Sequence, residues 1–389
     1  MSDDFAYLSP DDAYLDAACQ SLRPQPVIDA LTEYYTKYNS CGERVKHKWG
    51  TEVDEKIEAT RTKILKYLGL KSRNYIVSFT LNTTYGLNLI LSQINPSGIK
   101  KVITSDIEHN SPFLSTMAFA KKNNIPREVI SREPNGSIDT SKYDFSNSLV
   151  VLNCVSNIDG RQLNNLKELV KTIHKSGGII IVDAAQAMAH HADIVQGIEA
   201  DAICFSAHKM YAPSLGVIVA RKDLLKKIDT GFIGGGMVDD VTENTYTLSS
   251  TNPDHIHTIF EPGLQAYGEI IALGTAIDWL NHLPKSAHKD LATLSVQLYD
   301  FLKTSPKVHL INAEPTPVIS FYVEGIDSHL LGSALAAENI MSRTGYFCCH
   351  YFLDHVKHYP PLLRLSLSHA TRPTDIEKVI SALSKLLGE

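Results

Sequence analysis

Tyr75-Ile-Val-Ser-Phe-Thr80, followed by Leu87, Ile90, Leu91 and Ile94, decides the fold class. Six residues rich in β-branched and aromatic side chains form the pattern of a buried strand, and apolar residues spaced three and four apart mark one helix face, so the stretch is one strand–helix unit. Upstream, Ile57, Ile64, Leu65 and Leu68 mark another helix face. Downstream come the strands Lys101-Val-Ile-Thr-Ser105, Ser148-Leu-Val-Val-Leu152, Gly178-Ile-Ile-Ile-Val182 and Asp201-Ala-Ile-Cys-Phe205, with helical stretches such as 164–176 between them. Alternation of this kind from about residue 54 to 223 implies an α/β architecture around a largely parallel sheet. Each strand leads into polar residues, and in open α/β sheets ligands bind at the carboxyl ends of strands.

Gly234-Gly-Gly236 and Glu261-Pro-Gly263 punctuate the chain before a new helix near Tyr267, which puts the expected domain division near residue 262. Beyond it, strands are expected over 317–323 and 362–367 and a terminal amphipathic helix over 374–387. The 389 residues, 43% of them apolar, suffice for a large core in two domains and exclude a disordered tail or a stapled miniprotein. A formal charge of −6 gives no footprint for nucleic acid or an anionic membrane, so the expected partners are small molecules or proteins. Six cysteines, at 19, 41, 154, 204, 348 and 349, show no C-x-x-C spacing and are expected as free thiols. The acidic opening Met1-Ser-Asp-Asp-Phe5 lacks the charge pattern of a signal peptide, and no apolar run nears the roughly 20 residues of a membrane span. The expected location is the cytoplasm.

The chemistry concentrates in Ile179-Ile-Ile-Val-Asp-Ala-Ala-Gln186 and, 26 residues after Asp183, Lys209 in Cys204-Phe-Ser-Ala-His-Lys-Met-Tyr211. A carboxylate at the end of one strand and a lysine past the end of another converge on one sheet edge. An aldehyde cofactor with a pyridine ring needs such a pair: an amine to form a Schiff base and an acid to keep the ring nitrogen protonated. That cofactor is pyridoxal phosphate.

The blocks Tyr14-Leu-Asp-Ala-Ala18, Phe79-Thr-Leu-Asn-Thr-Thr84, Glu108-His109, Val155-Ser-Asn157, Asp183-Ala-Ala-Gln186, Ser206-Ala-His-Lys209, Arg343-Thr-Gly-Tyr-Phe-Cys348 and Arg364-Leu-Ser-Leu367 span nearly the whole chain. In this order the sequence resembles the class V aminotransferase family, and within it the cysteine desulfurases and selenocysteine lyases. The resemblance implies the fold type I architecture of pyridoxal-phosphate enzymes. That is a large domain over 21–262 with a mainly parallel seven-stranded sheet and helices on both faces, and a smaller α+β domain over 263–389 against which residues 1–20 pack.

Carried over by those matches, Lys209 is the Schiff-base lysine and proton carrier, and Asp183 the partner of the pyridine nitrogen. Gln186 and Asn157 are expected to bind the ring hydroxyl oxygen, Asn157 also to bind substrate, and His109 to stack on the ring face and to take part in catalysis. Thr83 and Thr84 stand where a strand meets a helix, which favours a phosphate, and Ser206 and His208 complete that cup. Cys348, in a turn that Arg343 and Gly345 make electropositive and flexible, is the implied acceptor of substrate sulfur, since the thiolate is the nucleophilic form. Cys349 is a second thiol to which sulfur could pass. Arg364, a charge in an apolar strand, needs an anion; the substrate α-carboxylate is one, an internal Asp or Glu the other.

The implied activity converts L-cysteine to L-alanine, leaving a persulfide on Cys348 for a sulfur-acceptor protein or small thiol in iron–sulfur cluster or related assembly. L-selenocysteine is a close alternative substrate. A C–S lyase or epimerase that does not use Cys348, or a scaffold without chemistry, are the competing classes. The resemblance also implies a homodimer. No metal is expected, because His190 and His191 lack a ligand set. Three stretches depart from the family pattern: Cys41-Gly-Glu-Arg-Val-Lys-His-Lys-Trp-Gly50 near substrate entry, Ala212-Pro-Ser-Leu-Gly216 after the lysine, and Leu264, where a hydroxyl residue ordinarily reaches the partner's cofactor phosphate.

Overall fold

The computed structural model describes residues 3–42 and 45–388; Glu43 and Arg44, part of the divergent 41–50 stretch, lie outside the described residues, as do Met1, Ser2 and Glu389. The chain enters through β1 (Ala13–Tyr14), α1 (Gln25–Lys37) and α2 (Lys48–Tyr67). It then builds one sheet from β2 (Tyr75–Thr80), β3 (Lys101–Ser105), β4 (Arg127–Ile130), β5 (Ser148–Asn153), β6 (Ile179–Asp183), β7 (Ala202–Ser206) and β8 (Gly216–Arg221). Helices α3 (Thr83–Gln93), α4 (Asn110–Asn123) and α5 (Leu166–Lys175) follow β2, β3 and β5, the short α6 (Lys222–Leu225) follows β8, and β9 (Val238–Val241) pairs with β10 (Tyr246–Leu248) as a separate antiparallel ribbon. The strand order is β2-β8-β7-β6-β5-β3-β4, and only β8 runs against its neighbours. Residues 207–215 between β7 and β8 are too few for a parallel crossover, which takes about a dozen or more, so the chain turns straight back. Lys209 sits in that turn.

Three strands expected to stop at Leu152, Val182 and Phe205 extend one residue further. Backbone pairing outlasts the apolar run: Asn153 pairs with Asp183, Asp183 with Cys204, and Ser206 with Gly216. The edge strand β4 carries Arg127 and Glu128, a polar pattern typical of edges, and was not expected from apolar periodicity.

Alternating side chains give the sheet two apolar faces. Val77, Ile103, Val150, Ile180 and Ile203 pack in one core with α1, α2, α5 and α7 (Tyr267–His282). Ile76, Val102, Val151 and Ile181 pack in another with α3 and α4. Helix α7, although it follows residue 262, contributes Ile270, Leu273 and Ile277 to the large-sheet core. Glu261, expected only as punctuation, is 3% exposed and meets both guanidinium nitrogens of buried Arg61 at 2.9 and 2.8 Å. It also accepts from Phe79 N at 2.6 Å, tying α2, β2 and the 261 segment together.

A further core forms around the antiparallel sheet β11 (Val308–Leu310), β12 (Val318–Val323), β15 (Leu362–Ser366) and β14 (Arg343–Gly345), covered by α8 (Lys285–Thr304), α9 (Ser328–Ala337) and α10 (Pro373–Leu387). Strand β1 pairs in parallel with β13 (Ile340–Met341) and brings Ala13 and Leu15 into this core. A small cluster of Ile107, Ile158, Phe347, Cys349, Phe352, Leu353 and Leu362 joins the two sheets. Arg343 and Gly345, expected within a turn, instead pair as β14 with β15, and the turn begins after them. No helix among the described residues is long and apolar enough to cross a membrane.

Candidate active site

A cavity of about 270 Å3 opens where the carboxyl ends of β2, β5, β6 and β7 meet the joint between the sheets. Lys209 and Asp183 line it together. Asp183, at the end of β6, is 4% exposed and accepts from Ala185 N at 2.9 Å. Burial pushes its carboxyl up while the Ala185 N–H and Lys209 pull it down. Burial likewise lowers the Lys209 ammonium, against the pull of Asp183.

The cavity ends at the start of α3. Asn82 caps that helix by accepting from Tyr85 N at 2.9 Å. Thr83 N donates to Ser206 Oγ at 2.9 Å, the Thr83 and Ser206 hydroxyls lie 2.6 Å apart, and Thr84 Oγ1 meets Ser111 Oγ at 2.6 Å. With Thr83 N and Tyr85 N already engaged, the Thr84 N–H, the hydroxyls around it and the helix dipole make this end suited to an anion. Gly216 permits the approach: a Cβ there would fall 2.3 Å from Thr80 Oγ1 and 2.5 Å from Asn82 N. His208 lines the same cavity, held neutral by burial and by the charges of Lys209 and Arg23, which bring it down to about 4.

His109 caps α4, its Nδ1 accepting from Ser111 N at 3.0 Å. That bond fixes the neutral ring with its hydrogen on Nε2. Burial, then Lys209 and Arg364, lower it to about 4. Gln186 Nε2 donates to Ala18 O at 2.8 Å and Asn157 Nδ2 to Phe347 O at 2.7 Å, leaving one amide hydrogen on each. Asn157 Oδ1 is buried without a partner.

Arg364, 2% exposed, donates Nη1 to Asn157 O at 2.9 Å and meets Asp16 Oδ1 through Nη2 at 3.2 Å. Its guanidinium lies over the Phe347 ring, 4.7 Å from the centroid. The internal carboxylate weighed as the alternative to substrate is therefore present, as Asp16. Arg364 Nε nonetheless remains buried and unpartnered.

Cys348 is exposed at the cavity wall between buried Phe347 and Cys349. The turn expected to be flexible is pinned on three sides. Cys348 O accepts from Asn110 N at 2.5 Å, Phe347 O from Asn157, and Cys349 N donates to Tyr346 O at 2.8 Å. Phe347 and Cys348 hold φ of 46° and 57°, a left-handed strain that these contacts offset. Cys349 faces away: its Sγ donates to Glu108 O at 3.2 Å, and burial beside Glu108, Asp159 and Asp106 pushes the thiol up. That removes it as a neighbour for sulfur. Glu108 itself is buried, accepts from Ser105 Oγ at 2.5 Å and Asn153 N at 2.7 Å, and is raised by burial to about 7.

The class V aminotransferase model matches residues 13–379. The chain belongs to that family. A probable cysteine desulfurase of Haemophilus influenzae is 29% identical over 98% of this chain and 88% of its own. A cysteine desulfurase of Pectobacterium carotovorum is 27% identical over 96% of this chain and 93% of its own. Among solved structures, the apo cysteine desulfurase of Thermococcus onnurineus superposes with a TM-score of 0.88 at 26% identity, over 97% of this chain and 95% of its own. A cystine C–S lyase, C-DES, solved with its product cysteine persulfide, shares the fold at 17% identity, a TM-score of 0.81 and coverage of 98% and 99%.

As a class V aminotransferase family member the chain brings Thr83, Thr84, His109, Asn157, Asp183, Gln186, Ser206, His208, Lys209, Cys348 and Arg364 to one cavity. The donor set fits pyridoxal phosphate. A buried acid beside a lysine, an anion-binding helix start, a neutral imidazole and an unpartnered amide oxygen match the ring nitrogen, aldehyde, phosphate, ring face and ring hydroxyl in turn. Cys19, Asn82 and Ser111 line the same cavity and Asp16 pairs with Arg364, four residues to which neither local pattern nor family resemblance assigned a role. Asp16 stands inside the Tyr14-Leu-Asp block, which was the available signal.

Proposed function

We propose that the protein is a pyridoxal-phosphate-dependent cysteine desulfurase that converts L-cysteine to L-alanine and leaves a persulfide on Cys348. The observation that carries this reading is the exposed Cys348 thiol in one cavity with Lys209 and with a buried, incompletely paired Arg364. When bound, the cofactor supplies a carbonyl that condenses with amines and a ring that takes up the electron pair released at the substrate Cα.

The residues then divide the work. Thr83, Thr84, Ser206, His208 and the start of α3 hold the phosphate; Asp183 holds the ring nitrogen's proton; Gln186 and Asn157 orient the ring; neutral His109 covers its face. Arg364 holds the substrate carboxylate through the edge that Asp16 leaves open. Lys209 carries a proton from and to the substrate, a role to which a burial-lowered ammonium is suited. Cys348 thiolate attacks the substrate sulfur: the new S–S bond forms as the C–S bond breaks, and protons complete alanine, so cysteine plus thiol gives alanine plus persulfide.

L-selenocysteine fits the same geometry, with selenium in place of sulfur. The finer proposals are an acceptor thiol or protein in iron–sulfur or related assembly, a cytoplasmic location, and the division into 1–20, 21–262 and 263–389. We also propose a homodimer. Exposed Leu81, Phe232 and Leu264 support it, since the Gly263 N–Gly235 O bond and the Phe232–Tyr85 ring contact bring these stretches near α3. A monomer by light scattering would sink that part.

Replacing Cys348 by Ser separates the desulfurase from a C–S lyase or epimerase. The expected variant binds cofactor with an unchanged absorption band and forms neither alanine nor persulfide. Undiminished conversion of cysteine to pyruvate or D-cysteine would overturn the reading.

A further inference from the structure

Cys19 lies in the same cavity as Cys348, although 329 positions separate them in the chain. It follows β1 in a turn closed by Cys19 N donating to Asp16 O at 3.0 Å. The adjacent Ala18 holds Gln186, and Asp16 holds Arg364, so the turn is fixed to both walls of the site. Arg343 Nη1 donates to Cys19 Sγ at 2.8 Å and lies 3.6 Å from Asp16 Oδ2. Arg343 lines the cavity too, in the strand that leads into the Cys348 turn. Both thiols also lie within electrostatic reach of Lys209. Of the six cysteines, only these two line the cavity: Cys154, Cys204 and Cys349 are buried, and Cys41 is exposed elsewhere.

We infer that Cys19 is a second sulfur-carrying thiol of the site, taking sulfane sulfur from Cys348 and holding it beside the Arg343 guanidinium. The inference rests on the desulfurase reading above. In the transfer, Cys19 thiolate attacks the outer sulfur of the Cys348 persulfide. An S–S bond forms to Cys19, the old S–S bond breaks, and its electron pair stays on Cys348 as thiolate. One persulfide and one thiolate stand on each side, so no oxidant or reductant is consumed. Cys348 is then free to attack a second substrate, and Arg343 offers the Cys19 persulfide anion the same donor it now gives the thiolate or thiol.

The test has two arms. Mild oxidation of the full chain by diamide, without L-cysteine, asks whether the thiols meet; a Cys19–Cys348 disulfide mapped by mass spectrometry is expected. The holoenzyme is then given a few equivalents of L-cysteine with no other thiol, so that free cysteine does not strip the persulfides, quenched with an alkylating agent and mapped. Persulfide on both Cys348 and Cys19 is expected, with a burst of alanine about twice that of Cys19→Ser. Cys348→Ser should carry none on Cys19, since sulfur enters only through Cys348. Persulfide confined to Cys348 in the unaltered protein would overturn the relay while leaving the desulfurase reading intact. Cysteine consumed with no persulfide on either residue would overturn both, and the mapping of unaltered protein needs no variant to fold.

Discussion

The two walls of the cavity are built differently. The lysine wall comes from strand ends of one sheet: Asp183 closes β6, Ser206 closes β7, Lys209 follows in the tight return to β8, and Thr83 opens the helix after β2. The cysteine wall joins stretches far apart in the chain: Asp16 and Cys19 beside β1, Asn157 beyond β5, Cys348 in the turn after β14 and Arg364 within β15. The first wall is a product of strand register within one core. The second exists only when the two sheets are joined correctly, through Phe347, Cys349, Leu353 and Leu362 packed against Ile107 and Ile158. Cofactor binding should follow the first wall and sulfur chemistry the second.

Perturbing each wall separately tests that division. Lys209→Ala has the largest expected effect, a loss of turnover on the order of 10³-fold or more together with loss of the lysine-linked cofactor absorption band. Breaking the scaffold under the lysine wall by Glu261→Gln removes the buried counter-charge of Arg61, leaving only the exposed Glu58 at 2.9 Å from its Nε, and should cost about 3 kcal/mol in urea unfolding. On the cysteine wall, Arg364→Lys should raise KM for L-cysteine on the order of 10²-fold while sparing cofactor affinity, because an ammonium cannot bridge Asp16, Asn157 O and a carboxylate. Asn82→Ala, which removes the cap of α3, should cost about 1 kcal/mol of stability and weaken cofactor binding without altering where persulfide forms.

The pH dependence of stability follows from both walls and the core beneath them. His109, His208, His257 and His369 are lowered by burial to about 4, 4, 3 and 4 from a usual 6.5, and His190 and His191 are lowered as well. Below pH 6.5 the unfolded chain binds protons that the folded chain refuses, so stability is full above that pH and falls toward pH 4. The slope is at most about 1.4 kcal/mol per pH unit for each histidine. Glu108, raised from 4.5 to about 7, works the other way, since the folded chain keeps its proton between those values. These imidazoles outnumber the two carboxyls that burial raises, Glu108 and Asp183, and thermal melts should show a falling midpoint as pH drops from 6.5 to 4. A flat profile would mean that these imidazoles are hydrated in solution.

The contrast between the walls also explains what was legible in the sequence. Apolar runs located most of the large sheet because each strand is buried on both faces, and the polar residue ending each run marked Asp183 and Ser206. Their one-residue extensions were not legible, because backbone pairing depends on the neighbouring strand rather than on the side chain. Edge strand β4 escapes apolar periodicity because of its charges, and β8, although its run is apolar, is not among the expected strands. On the cysteine wall, Cys348 and Arg364 came from family resemblance and not from periodicity. Asp16 as the partner of Arg364, the burial of Cys349 and the place of Cys19 depend on packing between distant stretches, which local pattern does not encode. The Arg343–Gly345 segment looked like a turn because glycine marks turns, yet pairing with β15 makes it an edge strand.

The most direct measurement counts products from protein reconstituted with pyridoxal phosphate and given one equivalent of L-cysteine, comparing alanine with persulfide over the first turnover. One alanine should appear for each protein-bound sulfane sulfur, with the sulfur entering at Cys348. Alanine or pyruvate formed without protein-bound sulfur would contradict the convergence of the two walls on one reaction.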